Sequence, residues 1–532
     1  MYKVDLKESF FPAIGGNAPA PLTISQTIEN SVSKWGSQKA LRELLDDGSI
    51  NREWTYQELY DQSQKLANAL ATRHAQGARI AVYANNIPEW VITELACGFA
   101  GIVLVTVNPS FQRNELKYVL EQSGAEAIYF IENFRGNPMG DIVRAACSGI
   151  TAIKHKIDLK DDAAMYAGSE NPHGRTCNPD DTVQIQYTSG TTGFPKGALL
   201  HANGLIRNGI DSQTRSGVLP GDSVVHFLPL FHTTGCAMMV LGGLSCGVTI
   251  NLSPIFDPQM LVDVIAREKP RYLGGVPTML VALMQVANAK GTDLSFIERV
   301  GSGGSMVAPE LCKQAKEVFG VYIQIMYGQT ETSPVITQTW HDDSLEDLTQ
   351  TTGQPLPYMD VAILDPGNNT ITPIGVQGEI CARGYNVMHG YNDNPEATAA
   401  TIDKDGWLHT GDLGTMDSRG YVKITGRVKE MIIRGGENLF PVEIENVILQ
   451  HPDVAEAAVV GVPDPKWGEE VACFMRSSTG KKPGNSDLKS FMRDRLSPQK
   501  TPTHWVWVDD WPLTGSGKIQ KFKLREQFEA EN

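Results

Sequence analysis

The sequence predicts an α/β protein with a large amino-terminal domain of layered, mostly parallel sheets and helices. A small β-subdomain and a small α+β carboxy-terminal domain follow. Apolar strand-like runs alternate with helical runs from residue 55 to about residue 330, which is typical of βαβ units. From about residue 353 the chain changes to short alternating strands rich in Gly and Pro. A length of 532 residues also favours two or three domains over one core.

The first elements have clear local signals. Thr55 and Glu58 have the spacing of a capping box, and apolar residues then repeat at helical intervals, so a helix is predicted there. Strands are predicted at 79–83 and 127–131, with a helix after Pro88. This alternation indicates a mostly parallel sheet.

Composition excludes several classes of protein. The net charge of −15 argues against a general nucleic-acid or anionic-membrane surface. The longest apolar run, 95–107, is too short and too rich in Gly to span a bilayer. Eight scattered cysteines without a CxxC pair indicate free thiols in a reducing compartment. The first residues lack the apolar segment of a signal peptide. We therefore expect a cytoplasmic protein with no nucleic-acid partner and no membrane insertion.

The stretch 187–197, YTSGTTGFPKG, predicts a phosphate-binding loop. The alternating run 183–187 is a strand that leads into it. Glycines let backbone amides approach a ligand, hydroxyls donate hydrogen bonds, and Lys196 adds a mobile cation. The spacing is not that of the ordinary P-loop. A plain Ser/Thr/Gly surface loop is the alternative interpretation.

Further polar motifs follow predicted strands. The run 224–230 leads to His232, the segment RVGSGGS at 299–305 gives a glycine turn before a helix, and 323–334 ends a strand in YGQTETSP. Open parallel sheets bind ligands at the carboxyl ends of their strands. These segments are therefore expected to share one ligand site with the loop.

A separate domain of about one hundred residues is predicted after Arg427, which is a normal domain size. It should contain a helix from Pro441, a strand at 457–462, a helix from Asp487 and a terminal helix. We therefore divide the chain into domains 1–427 and 428–532.

Five motifs occur in order along the chain: the loop at 188–196, Thr330 with Glu331, Asp412, Arg427 and the tail PLTGSGKIQK. In these motifs the chain resembles the adenylate-forming superfamily, which contains acyl- and aryl-CoA synthetases, luciferases and peptide-synthetase adenylation domains. The tail GSGKIQKFKLREQ, the loop RGGEN and the stretch YGQTETSPV look most like medium-chain acyl-CoA synthetases.

The resemblance implies an AMP-forming acyl-CoA synthetase that uses ATP and Mg²⁺ and takes CoA as co-substrate. Its small-molecule partner would be a medium-chain or bulky apolar carboxylic acid, activated as acyl-AMP with release of pyrophosphate. Domain 1–427 would hold ATP and the acid, and domain 428–532 would be mobile and carry the catalytic lysine. A homodimer is compatible with the sequence.

The resemblance also implies roles for individual residues. Catalysis would depend on Lys518, Glu331 and Thr330, with Glu331 as the metal ligand and Lys429 as the hinge. The residues implied to bind ATP or AMP are Thr188, Ser189, Gly190, Thr191, Thr192, Gly193, Lys196, Ser302, Gly303, Gly304, Ser305, Tyr327, Gly328, Thr330, Asp412, Arg427 and Lys518. The acyl-pocket residues are His232, Gly235, Met306 and Val335, and the CoA-binding residues are Arg434, Gly435 and Gly436.

Plainer interpretations stay open for single residues and for the activity. Taken alone, Asp412 is a turn residue, Tyr327 packs in a core, and Lys429 is a solvated residue that starts a strand. Many CoA synthetases carry Asp at the hinge position, so the resemblance leaves the exact pivot open. The alternative activities are an aryl-CoA ligase and an acyl-AMP ligase that loads a carrier protein. A nucleotide-binding sensor without turnover is disfavoured because binding alone does not require Lys518.

Overall fold

The protein is described here by a computed structural model that covers residues 1–16, 18–188, 195–305, 307–435, 437–513 and 519–531, without the side chain of Asn438. The chain forms two compact units. The first comprises Met1–Lys3, Phe11–Val361 and Ala382–Leu408, and the second comprises Val4–Phe10, Ala362–Cys381 and His409–Asn532. The predicted domains 1–427 and 428–532 differ from these compact units, because they were defined by the expected movement of residues 428–532. That division stays a prediction.

The secondary structure is mixed throughout. The strands are β1 (Phe10–Phe11), β2 (Lys39–Leu44), β3 (Ile50–Thr55), β4 (Arg79–Tyr83), β5 (Val103–Val107), β6 (Ala127–Phe130), β7 (His155–Asp158), β8 (Thr182–Thr188), β9 (Lys196–His201), β10 (Ser223–His226), β11 (Thr249–Leu252), β12 (Tyr272–Gly274), β13 (Arg299–Gly303), β14 (Ile323–Gly328), β15 (Val335–Gln338), β16 (Gln354–Pro355), β17 (Met359–Leu364), β18 (Gly378–Gly384), β19 (Gly390–Tyr391), β20 (Leu408–Met416), β21 (Val422–Arg427), β22 (Ile432–Arg434), β23 (Glu437–Leu439), β24 (Val454–Asp464), β25 (Gly468–Ser477) and β26 (His504–Trp507). The α-helices are α1 (Ile24–Trp35), α2 (Tyr56–Arg73), α3 (Pro88–Ala100), α4 (Arg113–Ser123), α5 (Met139–Ala146), α6 (Asp162–Met165), α7 (Ala202–Arg215), α8 (Gly243–Ser245), α9 (Pro258–Glu268), α10 (Pro277–Lys290), α11 (Pro309–Phe319), α12 (Leu345–Gln350), α13 (Pro395–Thr401), α14 (Pro441–Ile448), α15 (Asn485–Arg493) and α16 (Lys521–Glu531).

The first unit contains three sheets. Their strand orders are β19-β9-β8-β5-β4-β6-β7, β10-β11-β2-β3 and β12-β13-β14-β15-β16. In each sheet the parallel pairs are adjacent to one another, as in β4 with β5 and β5 with β8, and the antiparallel pairs lie toward one end, as in β8 with β9 and β14 with β15. The predicted α/β class with mostly parallel sheets is confirmed. The capping box is also confirmed at the start of α2. The Thr55 side chain accepts a hydrogen bond from the Glu58 amide, and the Glu58 side chain accepts one from the Thr55 amide.

The apolar run 95–107 is half helix and half strand. Every residue of α3 is buried, and so is every residue of β5. A helix enclosed on all sides needs no polar face, and a central parallel strand is apolar on both sides. Within the described ranges, no helix combines the length and the apolar character needed to cross a bilayer.

The second unit contains two sets of strands. Strands β17, β18, β20 and β21 are neighbours in that order in one sheet, and most of their residues belong to this unit. The other sheet has the order β23-β22-β25-β24, with β26 parallel to β25. Helices α14 and α15 contribute Ile444, Ile448 and Leu488 to its core, and α16 contributes Leu524.

A π-helix is the least expected element of the first unit. It runs from Thr234 to Gly242, directly after His232. Its backbone lies against α7, since a Cβ atom added to Gly242 would be 2.7 Å from the carbonyl carbon of Gly209. A π-helix of this length is rare and commonly occurs at functional sites.

His226 gives the fold a testable pH dependence. Its side chain is 1% exposed, and neither ring nitrogen has a hydrogen-bond partner among the described residues. Burial lowers the pKa of His226 to about 3. The unfolded chain takes up the proton near pH 6.5, so this stabilising contribution is complete above pH 6.5 and is lost as pH falls toward 3.

We expect His226→Leu to flatten the acid limb of the stability curve. The histidine contributes a slope of about 1.4 kcal/mol per pH unit below pH 6.5, and leucine removes that slope. Urea unfolding of wild type and variant at several pH values between 5 and 7.5 measures the difference. His341→Leu, at an exposed position, is the control. Parallel curves for wild type and His226→Leu would contradict the assignment.

Candidate active site

The base of the predicted phosphate loop is an antiparallel strand pair. Thr188 at the end of β8 is in register with Lys196 at the start of β9. The Thr188 hydroxyl lies 3.5 Å from the Lys196 carbonyl oxygen. The predicted loop residues Ser189, Gly190, Thr191, Thr192 and Gly193 lie outside the described residues. The two strands therefore place Thr188 and Lys196 side by side where the loop leaves the sheet.

Lys196 and Glu331 both contact Tyr391. The ammonium nitrogen of Lys196 is 4.9 Å from the centroid of the tyrosine ring, and the tyrosine hydroxyl donates to Glu331 Oε1 at 2.7 Å. Glu331 is only 8% exposed. It lies in the short 3₁₀ turn Thr330–Thr332, and its carbonyl oxygen accepts from the amide of Met388. The structure thus brings two of the predicted site residues together around a third, unpredicted one.

The ends of β13 and β14 lie at the same edge of their sheet, because these strands are parallel and Gly303 is in register with Met326. This arrangement places the segment 302–305 beside Tyr327. A Cβ at Gly303 would be 2.3 Å from the carbonyl oxygen of Met326, and one at Gly328 would be 1.9 Å from that of Pro334. Both predicted glycines therefore have a packing reason to be glycine.

Two side chains at this edge differ in what surrounds them. The hydroxyl of Ser302 is buried and has no partner among the described residues, whereas Tyr327 is 8% exposed and engaged in other interactions. An unpartnered buried hydroxyl is uncommon in native structures. Met306, a predicted acyl-pocket residue, lies outside the described residues.

The predicted acyl-pocket residues His232, Gly235 and Val335 lie in the first unit. The carbonyl oxygen of His232 accepts from the amides of Gly235 and Cys236, which closes the turn before the π-helix. Val335, which is 4% exposed, exchanges two hydrogen bonds with the side chain of Asn208 on α7. This pairing ties the first residue of β15 to α7.

Gly235→Ala should damage this turn. A Cβ at residue 235 would be 2.0 Å from the Pro229 carbonyl oxygen, and backbone atoms cannot yield as a flexible side chain can. We expect a loss of about 1–3 kcal/mol in the free energy of unfolding, together with reduced activity because His232 moves. Gly243→Ala is the matched control, since its added Cβ would have its nearest neighbour at 3.8 Å. Thermal melts and activity assays of both variants test this, and equal effects would contradict it.

Asp412 and Arg427 form an ion pair in the second unit. They are in register on the antiparallel strands β20 and β21, and Arg427 Nε lies 2.6 Å from Asp412 Oδ1. The Asp412 side chain is 9% exposed and that of Arg427 is 45% exposed. The Thr410 hydroxyl accepts from the Asp412 amide and donates to the Ile380 carbonyl. The carboxylate is thus held by a defined backbone.

A basic groove of about 520 Å³ lies on the carboxy-terminal sheet. Arg434 forms one wall, where it pairs with Glu470 at 2.8 Å and lies 5.5 Å from the centroid of the Trp467 ring. Gly435 has a φ of +59° and its amide donates to the Trp467 carbonyl. The lining also includes the basic residues Lys489 and Arg493 and one acidic residue, Glu437. Of the predicted CoA residues, Arg434 and Gly435 lie in this groove, and Gly436 lies outside the described residues.

Lys518 lies outside the described residues, but both ends of its loop are described. Leu513 and Ile519 form an isolated β-bridge, and the Gln520 amide donates to the Pro512 carbonyl. The described residues on either side of 514–518 are therefore held together.

Lys521, at the start of α16, anchors that segment to the predicted hinge. Its ammonium lies 2.8 Å from Glu430 and 2.8 Å from Glu445, and these two carboxylates raise the pKa of Lys521 to about 12 despite its burial. Glu430 belongs to the 3₁₀ turn Val428–Glu430, which contains Lys429. The segment just after Lys518 and the predicted hinge are thus joined by a partly buried ion triad.

Sequence reasoning missed three of these features. Tyr391 lies within the motif GYNDNPEAT, and Lys521 is the last residue of GSGKIQK. Their partners Glu331 and Glu445 are far away in sequence, so only the structure reveals these contacts. Trp467 does not belong to any motif that we recognised in the sequence. Its side chain is large and apolar, and its exposure of 41% in the structure is what indicates a place in a groove.

The parallel sheets and the order of the five sequence motifs are those of a nucleotide-binding enzyme of the adenylate-forming class. The family model of the AMP-binding enzymes matches residues 28–392, and that of the AMP-binding enzyme C-terminal domain matches 443–518. The chain belongs to the AMP-binding enzyme family. The predicted resemblance to acyl-CoA synthetases within the adenylate-forming superfamily is thereby confirmed.

Individual relatives agree with this assignment. YngI of Bacillus subtilis (strain 168), whose name provisionally assigns it to the acyl-CoA synthetases, is 36% identical over 95% of this chain and 97% of its own. The mitochondrial medium-chain acyl-CoA ligase ACSF2 of Mus musculus is 33% identical over 95% of this chain and 88% of its own. The crystal structure of ATP-bound MatB from Rhodopseudomonas palustris superposes with a TM-score of 0.85 at 28% identity, covering 96% of this chain and 99% of MatB.

Proposed function

We propose that the chain is an ATP-dependent acid–CoA ligase that activates a medium-chain or bulky apolar carboxylic acid. The observation that carries this proposal is the convergence of Lys196 and the buried Glu331 at the base of the phosphate loop. A cation suited to phosphate oxygens and a carboxylate suited to Mg²⁺ are what a bound MgATP requires. Similarity to ATP-bound MatB supports the choice of nucleotide.

In the first half-reaction a carboxylate oxygen of the acid attacks the α-phosphorus of ATP. The bond from the α-phosphorus to the bridging oxygen breaks, and pyrophosphate leaves with that electron pair. Two anions must meet, so the protein contributes mainly by positioning and by neutralising charge. Thr188, Lys196 and Thr330 would hold phosphate oxygens, and Lys518 would bring its ammonium to the reacting groups. Glu331 would hold Mg²⁺, which when bound neutralises phosphate charge.

Nucleotide recognition would involve residues for the adenine and residues for the ribose. The segment 302–305 and Tyr327 would form the adenine site, and the unpartnered Ser302 hydroxyl offers a hydrogen bond there. Asp412 would accept hydrogen bonds from both ribose hydroxyls, and Arg427 would be a second ribose contact.

In the second half-reaction the CoA thiolate attacks the acyl carbonyl, and AMP leaves. The basic groove supports CoA as acceptor, because Arg434, Lys489 and Arg493 suit phosphates and the exposed Trp467 ring suits an adenine. Residues 428–532 would rotate as one body about Lys429 between the two half-reactions. The rotation would withdraw Lys518 from the reacting groups and present the loop of Arg434 to CoA.

The acid would be apolar. His232, Gly235, Met306 and Val335 are proposed to border its pocket, and the buried Met238 and Met239 on the π-helix offer adaptable apolar surface. The name of the ACSF2 relatives supports a medium chain length. The eight free cysteines support a reducing, cytoplasmic location.

Product analysis tests the proposal. Purified protein is incubated with ATP, Mg²⁺ and CoA plus one acid from a panel of aliphatic, alicyclic and aromatic acids. We expect acid-dependent AMP and pyrophosphate, and a thioester detected by mass spectrometry only when CoA is present. Formation of ADP, or no pyrophosphate with any acid, would refute it.

The same experiment separates the alternatives. Preference for aromatic acids would indicate an aryl-CoA ligase. Transfer of labelled acyl-AMP to a phosphopantetheinyl carrier protein in preference to CoA would indicate a carrier-loading ligase, which the basic groove disfavours.

A further inference from the structure

Tyr391 stands between two opposite charges. Lys196 lies over the face of its ring, and Glu331 accepts a hydrogen bond from its hydroxyl. Among the described residues, no ion pair joins Lys196 to Glu331 directly. A flexible lysine beside a buried carboxylate would ordinarily pair with it, and each would then be less available to a ligand. The ring occupies the space in which such a pair would form.

The position of Tyr391 is fixed by its own strand. Strand β19 pairs with β9, so Tyr391 is in register with Ala198, two residues beyond Lys196. Its amide donates to the Thr398 hydroxyl, and the next amide, that of Asn392, donates to the Gly197 carbonyl. The ring is thus attached to the strand that carries Lys196.

The same segment is also attached to the turn that carries Glu331. The Met388 amide donates to the Glu331 carbonyl oxygen, and the side-chain amide of Asn386 donates to that of Thr332. Residues 386–392 therefore bridge two motifs that are more than one hundred residues apart in sequence. The tyrosine hydroxyl is the side-chain part of that bridge.

The hydrogen bond from the Tyr391 hydroxyl reaches only one of the two oxygens of Glu331, Oε1, at 2.7 Å. A donor to one carboxylate oxygen orients the group and leaves the other oxygen for a cation.

We propose that Tyr391 is a positioning residue that keeps Lys196 and Glu331 apart and orients each toward MgATP. This inference rests on the proposed function, because it assumes that the lysine meets phosphate and the carboxylate meets Mg²⁺. The ring provides the separation and the cation–π contact, and the hydroxyl provides the orientation of Glu331. Removing the hydroxyl and removing the ring should therefore have different consequences.

The test uses Tyr391→Phe and Tyr391→Leu in the full chain. Tyr391→Phe keeps the ring, so we expect the Mg²⁺ concentration for half-maximal pyrophosphate release to rise about tenfold, with KM for the acid unchanged. Tyr391→Leu lets Lys196 reach Glu331, so Kd for ATP measured by calorimetry in the presence of Mg²⁺ should rise by a further factor of about ten. Tyr166→Phe, which loses a hydroxyl bonded to Gln62 elsewhere in the same unit, is the control.

The readouts separate this inference from the proposed function. If wild type shows no acid-dependent pyrophosphate release, the proposed function fails. If wild type is active but Tyr391→Phe has wild-type Mg²⁺ dependence, or Tyr391→Leu binds MgATP as wild type does, the role of Tyr391 is refuted. Thermal melts identify misfolding, and Tyr391→Phe decides alone if Tyr391→Leu does not fold. Binding of ATP without Mg²⁺ should be the same in wild type and Tyr391→Phe, and a loss there would also overturn the proposal.

Discussion

Lys518→Ala is expected to reduce acyl-adenylate formation about 10²- to 10³-fold, the usual effect of removing one preorganised charge from a transition state. Thioester formation from preformed acyl-adenylate should be largely unchanged, because under the proposed mechanism the lysine would be away from the reacting carbonyl in that step. The reason is chemical. In the first half-reaction a carboxylate must approach the anionic phosphates of ATP, whereas in the second the thiolate attacks the uncharged carbonyl carbon of the acyl-adenylate.

Two assays measure the separate half-reactions of Lys518→Ala. Pyrophosphate release with acid and ATP reports the first, and conversion of synthetic acyl-AMP to thioester reports the second. Lys523→Ala, an exposed lysine on the adjoining helix α16, is the matched control and should leave both rates unchanged. Equal losses in both half-reactions would show that Lys518 is not the adenylation lysine.

Asp412→Ala is expected to raise KM for ATP about 10²- to 10⁴-fold. The carboxylate would accept two hydrogen bonds from the ribose, and each hydrogen bond to a charged group contributes about 1.5–3 kcal/mol. The fold should tolerate the change, because alanine removes the buried carboxylate and the partner Arg427, which is 45% exposed, stays solvated, so that no buried charge is left unpaired.

Steady-state kinetics with varied ATP and varied acid test the Asp412 variant. KM for the acid should change far less than KM for ATP. Asp509→Ala is a matched control, since it also removes an ion pair in the second unit, but between side chains that are 48% and 92% exposed. An unchanged KM for ATP in Asp412→Ala would refute the ribose assignment.

Local signals predicted the regular elements well. The capping box at Thr55 begins α2, and proline at the first position begins α3, α10 and α14. These signals depend on neighbours within one turn of helix, so a single sequence contains them. The motif order also identified the family, because five short motifs over three hundred residues are a specific pattern.

Other elements depended on contacts that the sequence does not show. The antiparallel pair β2 and β3 and the long strand β25 were not predicted, since their pairing partners decide their conformation. The π-helix after His232 was equally unpredictable, because it depends on a close backbone approach between Gly209 and Gly242.

By itself, the sequence determined the α/β class, the family and the candidate residues for phosphate, ribose and adenylation, since these are written as local motifs with fixed chemistry. Only the tertiary structure decided that Tyr391 lies between Lys196 and Glu331, that Lys521 pairs with Glu430 beside the predicted hinge residue Lys429, and that Trp467 lines a basic groove. The physical reason is distance along the chain: hydrogen bonds and ion pairs between remote residues form only after strands pair and helices pack, and no local spacing encodes them.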